Sequence, residues 1–190
     1  MTEAKTRRGR LQLVLIAGVF LGPLALATWM YYAGQLQPEG RTNHGALLEP
    51  IVNLPDVVAD SPLHAHNDDH WVLLYANDTA CGEDCSYSLY TLRQSRLMLG
   101  AEMDRVVRVF LHGDTLPDTV FLAEEHEGLV ALQDSALQEV LNNKKPADLE
   151  AGGYYLIDPL GNLVLYFRPD IDPRDMVDDI KRLLKLSRIG

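Results

Sequence analysis

The sequence predicts an α/β domain, a mixed sheet with helices on both faces, behind one N-terminal transmembrane helix. Three observations carry that reading. Residues 11–30 are apolar apart from Gln12 and Thr28. Residues 71–76 and 106–111 are apolar runs of strand length. Leucines and other apolar residues recur at helical spacing between and after those runs.

The first run is about the 20 residues needed to cross a bilayer. Lys5, Arg7, Arg8 and Arg10 precede it against a single acidic residue, Glu3, so the tail at 1–10 is expected to stay in the cytoplasm. A cleaved signal peptide is the rival reading. The length of the apolar stretch, and Trp29, Tyr31 and Tyr32 as an interfacial aromatic belt, favour an uncleaved anchor over 11–32. Gly22-Pro23 is tolerated inside such a span. The expected organisation is therefore a cytoplasmic tail (1–10), a transmembrane helix (11–32), a linker and N-terminal arm (33–60) and one domain (61–190). That places an inner-membrane, single-pass protein with its soluble part on the periplasmic side.

Of 190 residues, 27 are Asp or Glu and 17 Lys or Arg, a net charge of −10. The tail ahead of the domain is basic, so the remainder is more acidic still, which argues against nucleic acid or an anionic membrane surface as its partner. A basic or neutral protein, or a cation, fits better. Outside the cytoplasm, the two cysteines lie where a disulfide persists.

Gly45 to Leu54 is made of short Pro-bounded apolar pieces and reads as an extra strand or arm. Residues 61–69 read as a solvated loop; its histidines, His64 and His66, with His70 beside them, form at most a weak metal-gathering segment. Residues 71–76 form a central strand covered on both faces. Leu89, Leu92 and Leu99 then share a helical face that ends at Gly100. Residues 106–111 are a second central strand, followed by a loop from His112 to Asp118. A helix begins at Asp134 or Ser135, with Leu137, Val140 and Leu141 inward. Residues 154–157 and 163–167 flank Asp158-Pro159-Leu160-Gly161-Asn162 as a hairpin. Asp172-Pro173 opens a last helix whose Met176, Val177, Ile180, Leu183 and Leu184 repeat at helical spacing. Strand, helix, strand, helix, hairpin, helix is the thioredoxin order, and the crossover makes the first two strands parallel.

The chemistry is expected at Cys81-Gly82-Glu83-Asp84-Cys85, which carries the chain's two cysteines directly after the first central strand. A pair four apart can close a redox-active disulfide, staple a loop, or hold a soft metal ion. A helix N-terminus at the second cysteine favours thiolate, while Glu83 and Asp84 oppose it. His44 and His126 fall in no constellation. Asn77-Asp78-Thr79 matches a glycosylation sequon, a pattern common by chance.

The C-x-x-x-C spacing after an apolar strand, the Tyr155-Leu156-Ile157-Asp158-Pro159-Leu160-Gly161 segment and the single anchor resemble the Sco proteins, membrane-anchored thioredoxin-fold copper chaperones of cytochrome c oxidase assembly. The resemblance implies a copper site made by Cys81 and Cys85 with a histidine as third ligand. The family histidine falls near Glu150, among Leu149, Ala151, Gly152 and Gly153, where this sequence has none. The prolines that follow the family cysteines, and a proline directly before the third strand, are also absent. His112, leaving the second strand at the same sheet edge as the cysteines, is the candidate substitute.

Three functions follow as expectations. The first is a Sco-like factor that binds copper, or reduces a partner's cysteines, with a respiratory oxidase subunit as partner. The second is an enzyme, a general thiol–disulfide oxidoreductase acting through Cys81 and Cys85. The third is a non-catalytic interaction domain with a structural disulfide.

Overall fold

The computed structural model describes residues 3–32, 43–115, 118–187 and 189. Residues 1–2 of the basic tail, the linker as far as residue 42, and residues 116 and 117 of the loop after the second central strand lie outside them. Helix α1 (Glu3–Tyr32) carries the apolar run with Pro23 inside it. Its stretch Leu15–Tyr32 is long and apolar enough to cross a bilayer, and its side chains are unburied. The chain divides into two compact units, the first ending at Thr42 and the second running from Asn43 to Gly190.

In the second unit, strands β1 (Ala46–Asn53), β2 (Trp71–Asn77), β3 (Val106–His112), β4 (Leu129–Leu132), β5 (Tyr154–Ile157) and β6 (Asn162–Phe167) form one sheet. Their order is β1-β6-β5-β2-β3-β4. Strands β2, β3 and β4 are parallel, while β5, β6 and β1 run antiparallel to their neighbours. The arm expected ahead of the domain is thus the edge strand β1 of the domain's own sheet. Its pairing with β6 shifts register between Leu47 and Val52, around Pro50.

Helices α4 (Glu83–Met98) and α7 (Pro173–Leu186) cover one face, and α6 (Ser135–Lys144) covers the other. The short helices α2 (Leu54–Val57) and α3 (His64–Asn67) help to close the second face, whereas α5 (Thr119–Glu125) leads into β4. Alternation along β2 decides the layering. Trp71, Leu73 and Tyr75 join Leu89, Leu92, Val177 and Ile180; Val72, Leu74 and Ala76 join Leu54, Leu63, Leu137 and Leu141. Six successive residues of β2 are therefore buried, and burying a large apolar side chain contributes roughly 1.5–3 kcal/mol.

The thioredoxin-like fold expected from the sequence is the fold observed. Helix ends follow the expected chemistry. Asp134 caps α6 by accepting from Leu137 N at 3.0 Å, and Asp172 caps α7 by accepting from Arg174 N at 2.8 Å. The hairpin turn between β5 and β6 is closed by Asp158, whose carboxylate accepts from the backbone N–H groups of Leu160 and Asn162. Gly161 has a φ of 81°, and a Cβ there would meet Pro55 at 2.5 Å. Only glycine meets both demands.

Two expectations are corrected. Residues 61–69 are not a solvated loop. Leu63 is buried, Ser61 donates to Asp134 at 2.6 Å, and Asn67 donates to the Asp158 carbonyl at 3.0 Å. Residues 119–132 add α5 and a third parallel strand, β4, beyond the expected sequence of elements. Half-buried and only four residues long, the apolar run of β4 is shorter than those of β2 and β3.

Asp179 of α7 ties the start of the unit to its last helix. One of its carboxylate oxygens accepts from His44 N at 2.7 Å and Gly45 N at 2.9 Å, although the residue is only 3% exposed. Hydrogen bonds to a charged acceptor are worth about 1.5–3 kcal/mol each, and a lost acceptor leaves buried donors unsatisfied. Asp179→Ala is expected to destabilise the domain by about 2–4 kcal/mol, read as a lower urea midpoint with unchanged slope. An unchanged midpoint would refute the clamp.

Candidate functional site: a disulfide at the start of α4

Strand β2 ends at Asn77, and the chain turns through residues 78–82 into α4. Asn77 shapes that turn: its side-chain oxygen accepts from the Thr79 N–H at 3.1 Å and hydroxyl at 2.8 Å. The turn packs against the exit of β3. Gly113 N donates to the Asn77 carbonyl at 3.0 Å, and a Cβ on Gly113 would meet the Asp78 carbonyl oxygen at 2.5 Å. A side chain at 113 would push the two loops apart.

Cys81 and Cys85 are joined in a disulfide, with Cα atoms 5.1 Å apart. Cys85 stands in the first turn of α4 and is 3% exposed, whereas Cys81 is partly buried. Gly82 is the N-cap and supplies no side-chain acceptor. The positive end of the helix dipole is thus left for sulfur, an effect worth about 0.3–1 kcal/mol toward a thiolate. Glu83 and Asp84 are exposed in the same turn and act the other way. The dipole and these carboxylates are of comparable size, so neither dominates.

Behind the disulfide lies a buried aromatic layer. Tyr75 stacks on Phe110 and meets Tyr154, each at a centroid distance of 5.7 Å. Burial raises the Tyr75 phenol; the Ser88 hydroxyl of α4 draws it back and the Asp84 charge raises it further. Burial raises Tyr154 likewise. Both phenols stay neutral and form a floor without charge. Tyr87 and Tyr90, by contrast, lie on the solvent side of α4, with rings 6.5 Å apart.

His112 ends β3 directly opposite Asn77, so it stands at the same sheet edge as the cysteine loop. Its Nδ1 lies 2.8 Å from the Gly113 carbonyl, and its ring lies 5.9 Å from that of Phe110. Copper held by Cys81, Cys85 and His112 requires two thiolates and an imidazole around one point. In the oxidised protein both sulfurs are bonded to each other. Among the described residues, no three of His, Cys, Asp and Glu gather to hold a metal. This donor set does not fit copper in the disulfide state. The Glu150 carbonyl accepts from the Tyr166 hydroxyl. His64 and His70 are turned to the carbonyls of Val58 and Asp68, each at 2.7 Å.

A family model described as a transmembrane-like, thioredoxin-like C-terminal domain matches residues 71–187, and a transmembrane-like N-terminal domain matches residues 3–34. The chain belongs to this transmembrane-like, thioredoxin-like family. No curated protein matches it. Among solved structures, copper-bound ScoI of Arabidopsis thaliana is similar at 19% identity and a TM-score of 0.52, over 65% of this chain and 89% of that one. Copper-bound yeast Sco1 is similar at 16% identity and a TM-score of 0.51, over 65% and 81%. Apo Sco1 from Thermus thermophilus is similar at 19% and 0.50, over 63% and 82%. The resemblance of the sequence to the Sco proteins is thereby borne out at the level of fold.

In this transmembrane-like, thioredoxin-like chain the two sulfurs differ in access. After mild reduction, iodoacetamide is expected to modify Cys81 at least about 10-fold faster than Cys85, as burial keeps the second thiol from the reagent. Time-resolved peptide mass mapping checks this. Equal rates would remove the division between an outer and an inner sulfur.

Proposed function

We propose that this protein is a membrane-tethered thiol–disulfide reductant whose working pair is Cys81 and Cys85, acting on cysteines of a respiratory oxidase subunit during assembly. The observation that carries the reading is the asymmetry of the pair: a more accessible sulfur ahead of the α4 N-cap and a buried one in its first turn. A staple would need no such division. The target class rests on the Sco-like fold, and the acidic domain favours a basic or neutral protein surface as partner.

The chemistry balances within the pair. The Cys81 thiolate attacks one sulfur of a partner disulfide, forming a mixed disulfide and releasing the first partner thiolate, which takes up a proton. Cys85 then attacks the Cys81 sulfur, its proton passing to the partner sulfur that leaves. The Cys81–Cys85 bond closes and the second partner thiol leaves. Two electrons and two protons pass to the partner, and an external dithiol must return them.

Cys85→Ser is expected to accumulate a mixed disulfide with the partner in membranes, and Cys81→Ser to accumulate none. Non-reducing electrophoresis followed by mass spectrometry reads both. The reduction potential should fall between about −120 and −270 mV, where catalytic pairs lie, whereas a value below about −300 mV would mark a structural staple.

The register that sets His112 opposite Asn77 favours a second reading, in which the reduced pair takes up one Cu(I) with His112 as third ligand. In that case His112→Ala should weaken Cu(I) binding by about 10-fold, or 1.4 kcal/mol. Absence of stoichiometric copper in the reduced protein would exclude this reading and leave the first intact. For either reading the domain lies on the periplasmic side, and C-terminal reporter fusions active only in the cytoplasm would overturn that placement.

A further inference from the structure

The face of the sheet under α4 contains a charge that the redox site does not use. Arg108 lies in β3 between Val107 and Val109, in the row shared by Val106 and Phe110, and is 3% exposed. Its Nη2 donates to the Glu127 carbonyl, while Nε and Nη1 have no partner. Among the described residues no carboxylate pairs with it. A buried unpaired ion costs several kcal/mol. Arginine rarely escapes that cost by losing its proton. Burial lowers the Arg108 guanidinium to about 10, with Arg96 and Arg93 adding to the effect, so it remains charged at neutral pH.

The neighbours set charges of both signs beside it. Arg93 and Arg96 reach the same place from the C-terminal half of α4, and together with Arg108, Leu97 and the exposed Glu124, Glu125 and Glu127 they line a cavity of about 280 Å³. Of these carboxylates only Glu125 forms an ion pair, with Arg93, whose Nη1 also donates to the Glu125 carbonyl. Arg96 donates to the Val106 carbonyl at 2.7 Å and lies 3.5 Å from Asp104. Arg93 is 3.4 Å from Glu125, whose side chain is 59% exposed, and Arg93 Nε has no partner. His126, at the end of α5, is also buried with an unpartnered Nδ1. Burial and the nearby guanidiniums keep its ring neutral, so it adds no further positive charge.

We propose that this cavity binds a small tetrahedral oxyanion, phosphate or sulfate, between the guanidiniums of Arg93, Arg96 and Arg108. Arginine presents a planar fork of donors suited to such oxyanions. The volume lies just under the range of about 300–1,000 Å³ typical of drug-sized ligands, which favours a small ion. Glu124, Glu125 and Glu127 are carboxylates at the mouth with exposed side chains, yet Glu125 meets only Arg93 and none of the three pairs with Arg108. An exposed ion pair of this kind is weak, so a dianion displaces it at little cost. The site is independent of the sulfur chemistry. Arg93 follows Cys85 by eight positions on α4, which sets their backbones about 12 Å apart along the helix axis.

The test is calorimetry on the oxidised full-length protein in uncharged detergent, titrated with sodium phosphate and with sodium sulfate at constant ionic strength. One-site saturable binding by at least one of the two is expected, with chloride silent; which one binds tells the sources apart. Arg93→Gln and Arg96→Gln should each weaken it by about 10-fold or more. Arg108→Met should abolish it, with the fold verified by circular dichroism and by the intact disulfide. If Arg108→Met does not fold, the two α4 variants decide the question alone. No saturable binding up to about 10 mM of either anion, or wild-type affinity in the Arg93→Gln/Arg96→Gln double variant, would overturn the proposal.

Discussion

Burial of β2 on both faces is the constraint on which the rest of the molecule depends. Six consecutive apolar side chains with no solvent face require a helix layer above and below. They also require hydrogen-bonded neighbours on both sides, which β3 and β5 supply. Once β2 is fixed, the parallel pairing with β3 follows, from Trp71 against Val106 to Asn77 against His112. The ends of both strands then meet at one edge. The cysteine loop is placed by this register and not by its own sequence, which is short, polar and mostly exposed.

The same burial gives the disulfide its two-sided character. Helix α4 must lie against β2 and β3 to cover Leu73, Tyr75 and Phe110, so its first turn is pressed onto the aromatic layer with Cys85 inside. Cys81, still in the connection, remains nearer the solvent. Electrostatics is secondary here. The helix dipole and the two carboxylates nearly offset each other, and the phenols behind the site stay neutral. Access decides which sulfur reacts first.

Legibility in the sequence followed the strength of the packing signal. Strands β2, β3, β5 and β6 are rich in β-branched, leucine and aromatic residues, and their turns carry recognisable chemistry at Asp158 and Gly161. Helices α6 and α7 announce themselves by Asp134, Asp172 and Pro173. Strand β4 was missed because it is four residues long and draws its stability from lateral pairing with β3. The segment at 61–69 was misread because its polar residues look solvated, yet Ser61 and Asn67 spend their hydrogen-bonding groups inside the fold. The cysteines were legible from their position after β2. The arginine cavity was not: Arg108 sits in an otherwise apolar strand, and its companions come from α4, so proximity rather than sequence spacing reveals it. His126 was passed over for the same reason, since one histidine in a polar stretch gives no hint that its ring packs on Phe121 at 5.0 Å.

The interrupted pairing of β1 has a consequence for how copies of this domain behave when crowded. An open sheet has two borders, each a template for adding a strand from another molecule. On one border, the ladder of β1 breaks between Leu47 and Val52, and Pro50 has no N–H to offer. On the other, β4 is only four residues long. Neither border presents a flat run of free donors and acceptors. Copies held side by side by their anchors can therefore reach high local density without lateral polymerisation, and surfaces other than the sheet margins remain for recognition.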